Sequence, residues 1–210
     1  MNAKRCVIVG SAPLGGDSIR RLLRQDDFVI FCDGGLAHTG ELDRSPDLIV
    51  GDFDSYRNPG LDVETIVLPR AKDDTDTVFA VKEALRRGFG EFLLVGVTGG
   101  RIDHTLANLS ILLMLDTLGK PAKIVDSYSE IEVVSGHPAY IDGSFPYFSL
   151  LNISGVARDI TVENAKFPLS GAEINCDYQY GVSNEVLPGL VAKVTVGEGR
   201  LLLVKVRRDM

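Results

Sequence analysis

Through roughly residue 126, short apolar runs alternate with stretches of helical period, the pattern of a parallel sheet flanked by helices. Residues 6–10, 28–33, 48–51, 64–68, 91–97 and 122–126 predict strands. The spacing predicts a helix over 75–87, with Val78, Val81 and Leu85 on one face, an exposed Glu83 to Arg87 pair, an acidic first turn and a stop at Gly88. A second helix carries Leu106, Leu109 and Leu113 and ends at Gly119 and Pro121. From about Ser127 the period changes. β-branched and aromatic residues alternate with polar ones, turn residues recur, and helical patterns stop, which predicts an antiparallel β domain. Its closing segment, residues 190–207 around Gly197-Glu198-Gly199, predicts a hairpin. The chain therefore divides into an α/β domain over 1–126, with a mostly parallel sheet, and an all-β domain over 127–210. No repeat or low-complexity linker separates them, so the two parts are expected to pack directly together.

Length and composition change this picture little: 210 residues suffice for two domains that bury cores without disulfide or metal staples. Charge says more. With 29 acidic against 22 basic side chains, the formal net charge of -7 repels nucleic acid and anionic lipid. A small anionic substrate remains compatible if a divalent cation and a few basic groups gather locally. Cys6, Cys32 and Cys176 are odd in number and form no Cys-x-x-Cys, which fits reduced thiols in a cytosol. Residues 1–5 lead straight into an apolar strand, too short for a signal peptide, and no apolar run reaches membrane-spanning length. A cytoplasmic protein, bound neither to membrane nor to nucleic acid, is expected.

In open α/β sheets ligands collect at the carboxyl ends of the strands, and several unusual turns fall there. Gly51-Asp52-Phe53-Asp54-Ser55 follows an apolar strand; in extended chain residues two apart point the same way, so both carboxylates can face one divalent cation. Aspartate, glycine and serine are also ordinary turn formers. Lys72-Asp73-Asp74-Thr75-Asp76 opens the first predicted helix with more carboxylates than a cap needs. Asp76 could complete a metal site with Asp52 and Asp54, while Lys72 neutralises phosphate oxygen. Gly99-Gly100-Arg101-Ile102-Asp103-His104 opens the second helix. Paired glycines admit backbone N–H groups to a phosphate, and Arg101 offers a planar fork for one. The competing reading is a tight connection whose Asp103 caps the helix. Asp33-Gly34-Gly35 stands at another strand end, where Asp33 can bind a substrate. No Gly-x-x-x-x-Gly-Lys-Ser/Thr loop is present, and residues 10–16 lack the Gly-x-Gly-x-x-Gly spacing, so a nucleotide would bind by another arrangement.

Taken together, Asp33-Gly34-Gly35, Gly51 to Ser55, Asp73-x-Thr75-Asp76 and Gly99-Gly100-Arg101-x-Asp103-His104 resemble the thiamine pyrophosphokinase family. The resemblance continues through Ala165 to Leu169 and Gly181 to Glu185. It implies a catalytic α/β domain, a C-terminal β-sandwich that binds thiamine, and a homodimer with the active site between subunits. It implies Mg²⁺ on Asp52, Asp54 and Asp76, with ATP as co-substrate contacted by Lys72, Asp73, Thr75, Gly99, Gly100, Arg101, Asp103 and His104. Asp33 matches a substrate-site acid; Phe167, Ser183 and Asn184 match the thiamine pocket. Where eukaryotic members read Ser-Thr-Ser-Asn this chain reads Gly181-Val182-Ser183-Asn184, and Phe167 stands where some members have tryptophan. The implied reaction is pyrophosphate transfer from ATP to the thiamine hydroxyl, with Asp33, Asp52, Asp54, Asp76 and Arg101 as catalytic groups. Alternatives are a pyrophosphokinase for a pterin-like hydroxymethyl substrate, a haloacid-dehalogenase-type phosphatase, and a non-catalytic thiamine-binding module.

Overall fold

The computed structural model describes residues 4–15, 17–54, 60–71, 73–153 and 155–207, with Asp17 described by its backbone alone. The chain divides into two compact units after Ser127.

The first unit contains β1 (Arg5–Val9), α1 (Asp17–Arg20), β2 (Phe28–Cys32), a 3-10 helix (Asp33–His38), α2 (Thr39–Leu42), β3 (Leu48–Gly51), β4 (Thr65–Val67), α3 (Asp76–Arg86), β5 (Glu91–Val95), α4 (Ile102–Thr117) and β6 (Ala122–Val125). Its strands lie in the order β6-β5-β1-β2-β3-β4, every neighbouring pair parallel. The near-continuous apolar runs of β1, β2 and β5 explain this: a strand buried on both faces needs no alternation. Val7, Val9, Val29, Phe31, Leu93 and Val95 enter one core cluster, while the intervening Ile8, Ile30 and Leu94 are equally buried. Cys32, on the Ile30 side, donates its thiol to the Asp76 carbonyl at 3.8 Å, which fastens the start of α3 to the end of β2.

Both long helices present faces shifted from the expected ones. In α3 the small Ala80 and Ala84 are buried beside Val81, while Val78 and Leu85 are half-buried. In α4 the buried line is Asn108, Ile111, Leu112 and Leu115, and Leu106 is exposed. Glu83, expected on the surface, is buried, with its carboxylate held by Arg86 at 2.6 and 2.7 Å and by Arg87 at 2.7 Å. These bonds, Arg86 first and Arg87 after it, depress the Glu83 carboxyl from 4.5 to about 2 against the opposing effect of burial. A carboxyl depressed by folding contributes stability that is complete above its unfolded value and lost as pH falls through its folded one. Here that window runs from 4.5 down to about 2. Glu83→Gln is expected to flatten the fall of Tm across it in scanning calorimetry; an unchanged profile would mean that Glu83 does not drive the acid transition.

The second unit contains β7 (Ser129–Val134), β8 (Ala139–Ile141), β9 (Tyr147–Leu151), β10 (Val156–Glu163), β11 (Leu169–Asn175), β12 (Gly181–Asn184), β13 (Ala192–Thr195) and β14 (Leu201–Val206). They form two antiparallel sets, β12-β9-β14-β7 and β11-β10-β13-β8. One core cluster draws on both, with Phe148, Leu150 and Leu203 from the first and Ile160, Ile174 and Val194 from the second. The expected closing hairpin does not form. β13 pairs with β10 and β8, whereas β14 pairs with β7 and β9. The intervening glycine turn docks on β10 instead: the Gly197 and Glu198 N–H groups donate to the Arg158 carbonyl at 3.1 and 3.2 Å, and Arg158 N–H donates to the Glu198 carbonyl at 2.9 Å. The turn thus carries the chain from one sheet to the other.

Among the described residues no helix is long and apolar enough to cross a membrane. The three cysteines are free, Cys6 and Cys32 buried and Cys176 exposed.

Candidate active site

β2 and β3 are adjacent and parallel, with Cys32 opposite Val50, so the residues that follow each strand emerge side by side. Asp33 follows β2, Asp52 follows β3, and Asp76 is the first residue of α3. One carboxylate oxygen from each lies within 4.8 Å of the other two. The approach depends on Gly51: a Cβ there would stand 3.0 Å from the Asp33 Cβ and 3.1 Å from its Cα. Asp33 and Phe53 hold left-handed backbone angles, φ 38° and 55°, a conformation that costs free energy and gathers at functional sites. Asp33 is buried, and its Oδ1 has no hydrogen-bond partner among the described residues. Burial, then the charges of Asp76, Asp52 and Asp54, push the Asp33 carboxyl up, against a hydrogen bond from the Gly34 N–H. Three carboxylates with an unsatisfied buried oxygen fit a hard divalent cation, which takes oxygen ligands and relieves their mutual repulsion.

This group differs from the expected set. Asp54 is exposed, and its backbone N–H donates to Asp52 Oδ1 at 3.2 Å. The alternation that would aim Asp52 and Asp54 alike holds only in extended chain, and the left-handed Phe53 between them interrupts it. Asp33 takes the third place in the close group. Sequence offered a signal for this, since Asp33 and Asp52 both follow apolar strands, but strand order was needed to make those strands neighbours.

Lys72 and Ser55 lie outside the described residues. Asp73 is exposed, and Asp74 accepts from Lys82 at 2.7 and 2.9 Å. Thr75, expected at the nucleotide, is the N-cap of α3, its hydroxyl accepting the Val78 N–H at 3.3 Å. The glycine turn before α4 is anchored from both sides. Thr98 donates to Asp126 at 2.8 Å, and the buried Asn108 amide donates to the Val97 carbonyl at 2.8 Å. Neither Asn108 nor Asp126 stood out in the sequence; a polar residue on the buried line of α4 is the signal for the first. Gly99 and Gly100 both hold left-handed φ, and the Gly99 N–H is used by Thr105 Oγ1 at 3.0 Å. Asp103 does not cap α4; it pairs with Arg101, which depresses the Asp103 carboxyl to about 2. Both partners are exposed, as is His104. Exposed pairs contribute little, so the Arg101 fork can exchange Asp103 for a phosphate.

In the second unit Phe167 is exposed, and the Lys166 ammonium stands 5.7 Å from its ring centre. Ser183 holds φ 58° within a register irregularity of β12, with its N–H donated to Ser149 Oγ at 3.0 Å. Asn184 is buried, and its side chain bonds the backbone of Phe167.

Residues 19–124 match the family description "Thiamin pyrophosphokinase, catalytic domain", and residues 137–201 match "Thiamin pyrophosphokinase, vitamin B1 binding domain". The chain belongs to the thiamin pyrophosphokinase family. Asp33, Asp52, Asp76 and Arg101 fall in the first stretch, and Phe167, Ser183 and Asn184 in the second. A curated relative, the thiamine pyrophosphokinase of Bacillus subtilis (strain 168), is 27% identical over 118 residues, covering 55% of this chain and 55% of that protein. Thus the match spans about half the length of the curated relative. Solved thiamin pyrophosphokinases carry the same fold. The Bacillus subtilis structure superposes with a TM-score of 0.84 at 21% identity, covering 99% of this chain and 100% of that one. That from Geobacillus thermodenitrificans gives 0.83 at 25% identity and 98% of both chains. The yeast enzyme gives 0.78 at 14% identity, with 98% of this chain and 87% of that one covered.

Proposed function

We propose that this chain is an ATP-dependent thiamine pyrophosphokinase, converting thiamine and ATP to thiamine diphosphate and AMP. The observation that carries the reading is the convergence of Asp33, Asp52 and Asp76 at the sheet's carboxyl edge, within a family match covering both units. Asp33, Asp52 and Asp76 would hold Mg²⁺, with Asp54 next to Asp52 as a further candidate ligand. When bound, the ion would supply charge neutralisation at the ATP phosphates. The chain's own groups do the rest. Arg101 and Lys72 offset negative charge on the phosphates, and Asp73, Thr75, the Gly99-Gly100 turn, Asp103 and His104 bound the nucleotide. Phe167, Ser183 and Asn184 belong to the thiamine side. The thiamine hydroxyl oxygen forms a bond to the β-phosphorus, the bond from that phosphorus to the α,β-bridging oxygen breaks, and AMP leaves. The hydroxyl proton passes to a carboxylate of the cluster, Asp33 or Asp76. Positioning and charge stabilisation carry most of the acceleration in phosphoryl transfer.

The finer organisation belongs to the same reading. The catalytic domain is 1–126; the thiamine domain, 127–210, is a β-sandwich, supported by the core that its two sheets share. The chain works in the cytoplasm as a homodimer whose sites lie between subunits; exposed Ile102, Leu106, Tyr147 and Val182 give a second copy apolar area to cover. Its net charge of -7 suits a cationic substrate and disfavours nucleic acid and anionic membranes.

Purified protein supplied with ATP, Mg²⁺ and thiamine is expected to give thiamine diphosphate and AMP in equal amounts by chromatography. ADP or inorganic phosphate in place of AMP, or no thiamine product, would overturn the reading.

A further inference from the structure

Residues 164–167 run antiparallel to residues 184–187. Leu187 N–H donates to the Asn164 carbonyl at 3.0 Å, Lys166 N–H donates to the Glu185 carbonyl at 2.9 Å, and Ala165 pairs with Val186. This register places Phe167 opposite Asn184, but Asn184 is already paired with Phe148 of β9. The Asn184 side chain continues the ladder instead. Its Oδ1 accepts the Phe167 N–H at 3.0 Å, and its Nδ2 donates to the Phe167 carbonyl at 2.8 Å. The same Oδ1 accepts the Glu185 N–H at 2.9 Å. A primary amide presents its oxygen and one N–H along a single edge, so this side chain meets both backbone groups of Phe167 as a partner residue across a ladder would. Asn184 is 7% exposed, whereas Phe167 is 58% exposed, its ring approached by the Lys166 ammonium at 5.7 Å.

We infer that Asn184 is a positioning residue that clamps the backbone of Phe167 through its amide, and not a direct contact to thiamine. The inference rests on the proposed placing of Phe167 in the thiamine pocket. The Oδ1 atom already accepts two backbone N–H groups and one Nδ2 hydrogen is held by the Phe167 carbonyl, and Asn184 therefore acts on substrate through the aromatic ring that it orients. No other side chain of similar size keeps the clamp. Aspartate retains the acceptor but sets a second oxygen against the Phe167 carbonyl; alanine removes both bonds; glutamine moves the amide outward by a methylene.

The test combines kinetics with amide hydrogen exchange. Asn184→Ala is expected to raise KM for thiamine by about ten-fold, from the loss of two hydrogen bonds, with kcat and KM for ATP changed less than about two-fold. A merely structural role would instead lower kcat through a smaller active fraction at constant KM. Asn184→Asp, the second variant should alanine fold poorly, is expected to match it, because the donor is what it lacks. In a Phe167→Ala background, Asn184→Ala is expected to change thiamine KM by less than about two-fold, since the ring it positions is gone. An undiminished effect in that background would make Asn184 an independent substrate contact and overturn the inference. Exchange provides the arm that needs no turnover. In Asn184→Ala the Phe167 amide is expected to lose protection while the Lys166 amide keeps it; unchanged protection at Phe167 overturns the clamp. If native protein makes no thiamine diphosphate while the Phe167 amide responds as expected, the clamp stands and the thiamine reading is what fails.

Discussion

Asp52→Asn is expected to lower kcat for thiamine diphosphate formation by roughly 10²–10³-fold, the usual loss on removing one preorganised electrostatic group from a reaction centre. The side chain keeps its size, and Asp52 still accepts the Asp54 N–H through its remaining carbonyl oxygen. The cluster loses one of three carboxylates that stand within 4.8 Å of each other. Folding should not suffer: burial and neighbouring charges already push the Asp33 carboxyl up, Asp52 among them, and removing one charge relieves that repulsion. An unchanged or slightly raised Tm, beside the collapse of kcat, is therefore the expected pair of results in calorimetry and steady-state assays. A kcat within two-fold of native would remove Asp52 from the reaction centre. A fall in both would mean that the cluster is a structural element.

Gly35→Ala is expected to act on the fold instead. A Cβ at this position would stand 2.4 Å from the Val9 carbonyl oxygen, 3.0 Å from the Gly10 oxygen and 3.1 Å from the Val9 carbonyl carbon. Those atoms belong to the end of β1, which lies between β5 and β2 and cannot yield as a flexible side chain would. Forcing extra volume into such a place costs about 1–3 kcal/mol. For a chain of this size each kcal/mol lowers Tm by about 2–4 °C, so a loss of roughly 2–12 °C is expected. Because Asp33 lies two residues away, activity should fall with it. Gly40→Ala is the control: nothing lies within 4 Å of the position, and it sits in α2. Alanine is the better helix former by about 1 kcal/mol, so that variant should hold or raise Tm. Equal melting of the two variants would show that the clash at Gly35 is relieved by movement.

The site was legible to different depths. Strand-end turns rich in aspartate and glycine were visible as chemistry, and three of them do converge. Which aspartates converge was not visible. Asp52 and Asp54 looked equivalent under the extended-chain rule, and a single left-handed residue, Phe53, undid that equivalence. Asp103, matched to a nucleotide contact with a helix cap as the competing reading, pairs with Arg101 and caps nothing; Thr75, also matched to a nucleotide contact, is the cap of α3. Short polar side chains can satisfy either demand, and local sequence does not say which will compete for them. Asn184 was placed in the thiamine pocket by its match to the family's segment at Gly181 to Glu185. Its commitment to Phe167 follows from a register between segments 17 residues apart, which no local pattern encodes.

Hydrophobic period alone determined the division into a parallel α/β half and an antiparallel half, because a strand buried on both faces and one buried on a single face demand different alternation. Glycines and caps, which act within a few residues of themselves, placed the ends of α3 within one residue of where they lie. Tertiary structure decided the rest. It placed β13 and β14 in different sheets despite a turn suited to a hairpin, because docking the turn on Arg158 lets both strands contribute to one core. It buried Glu83, whose carboxylate is held by Arg86 and Arg87 three and four residues along the same chain segment, and it brought Asp33 to Asp52 through the absence of one Cβ at Gly51. Each outcome depends on distances between segments far apart in the chain, and those distances are set only when the layers pack.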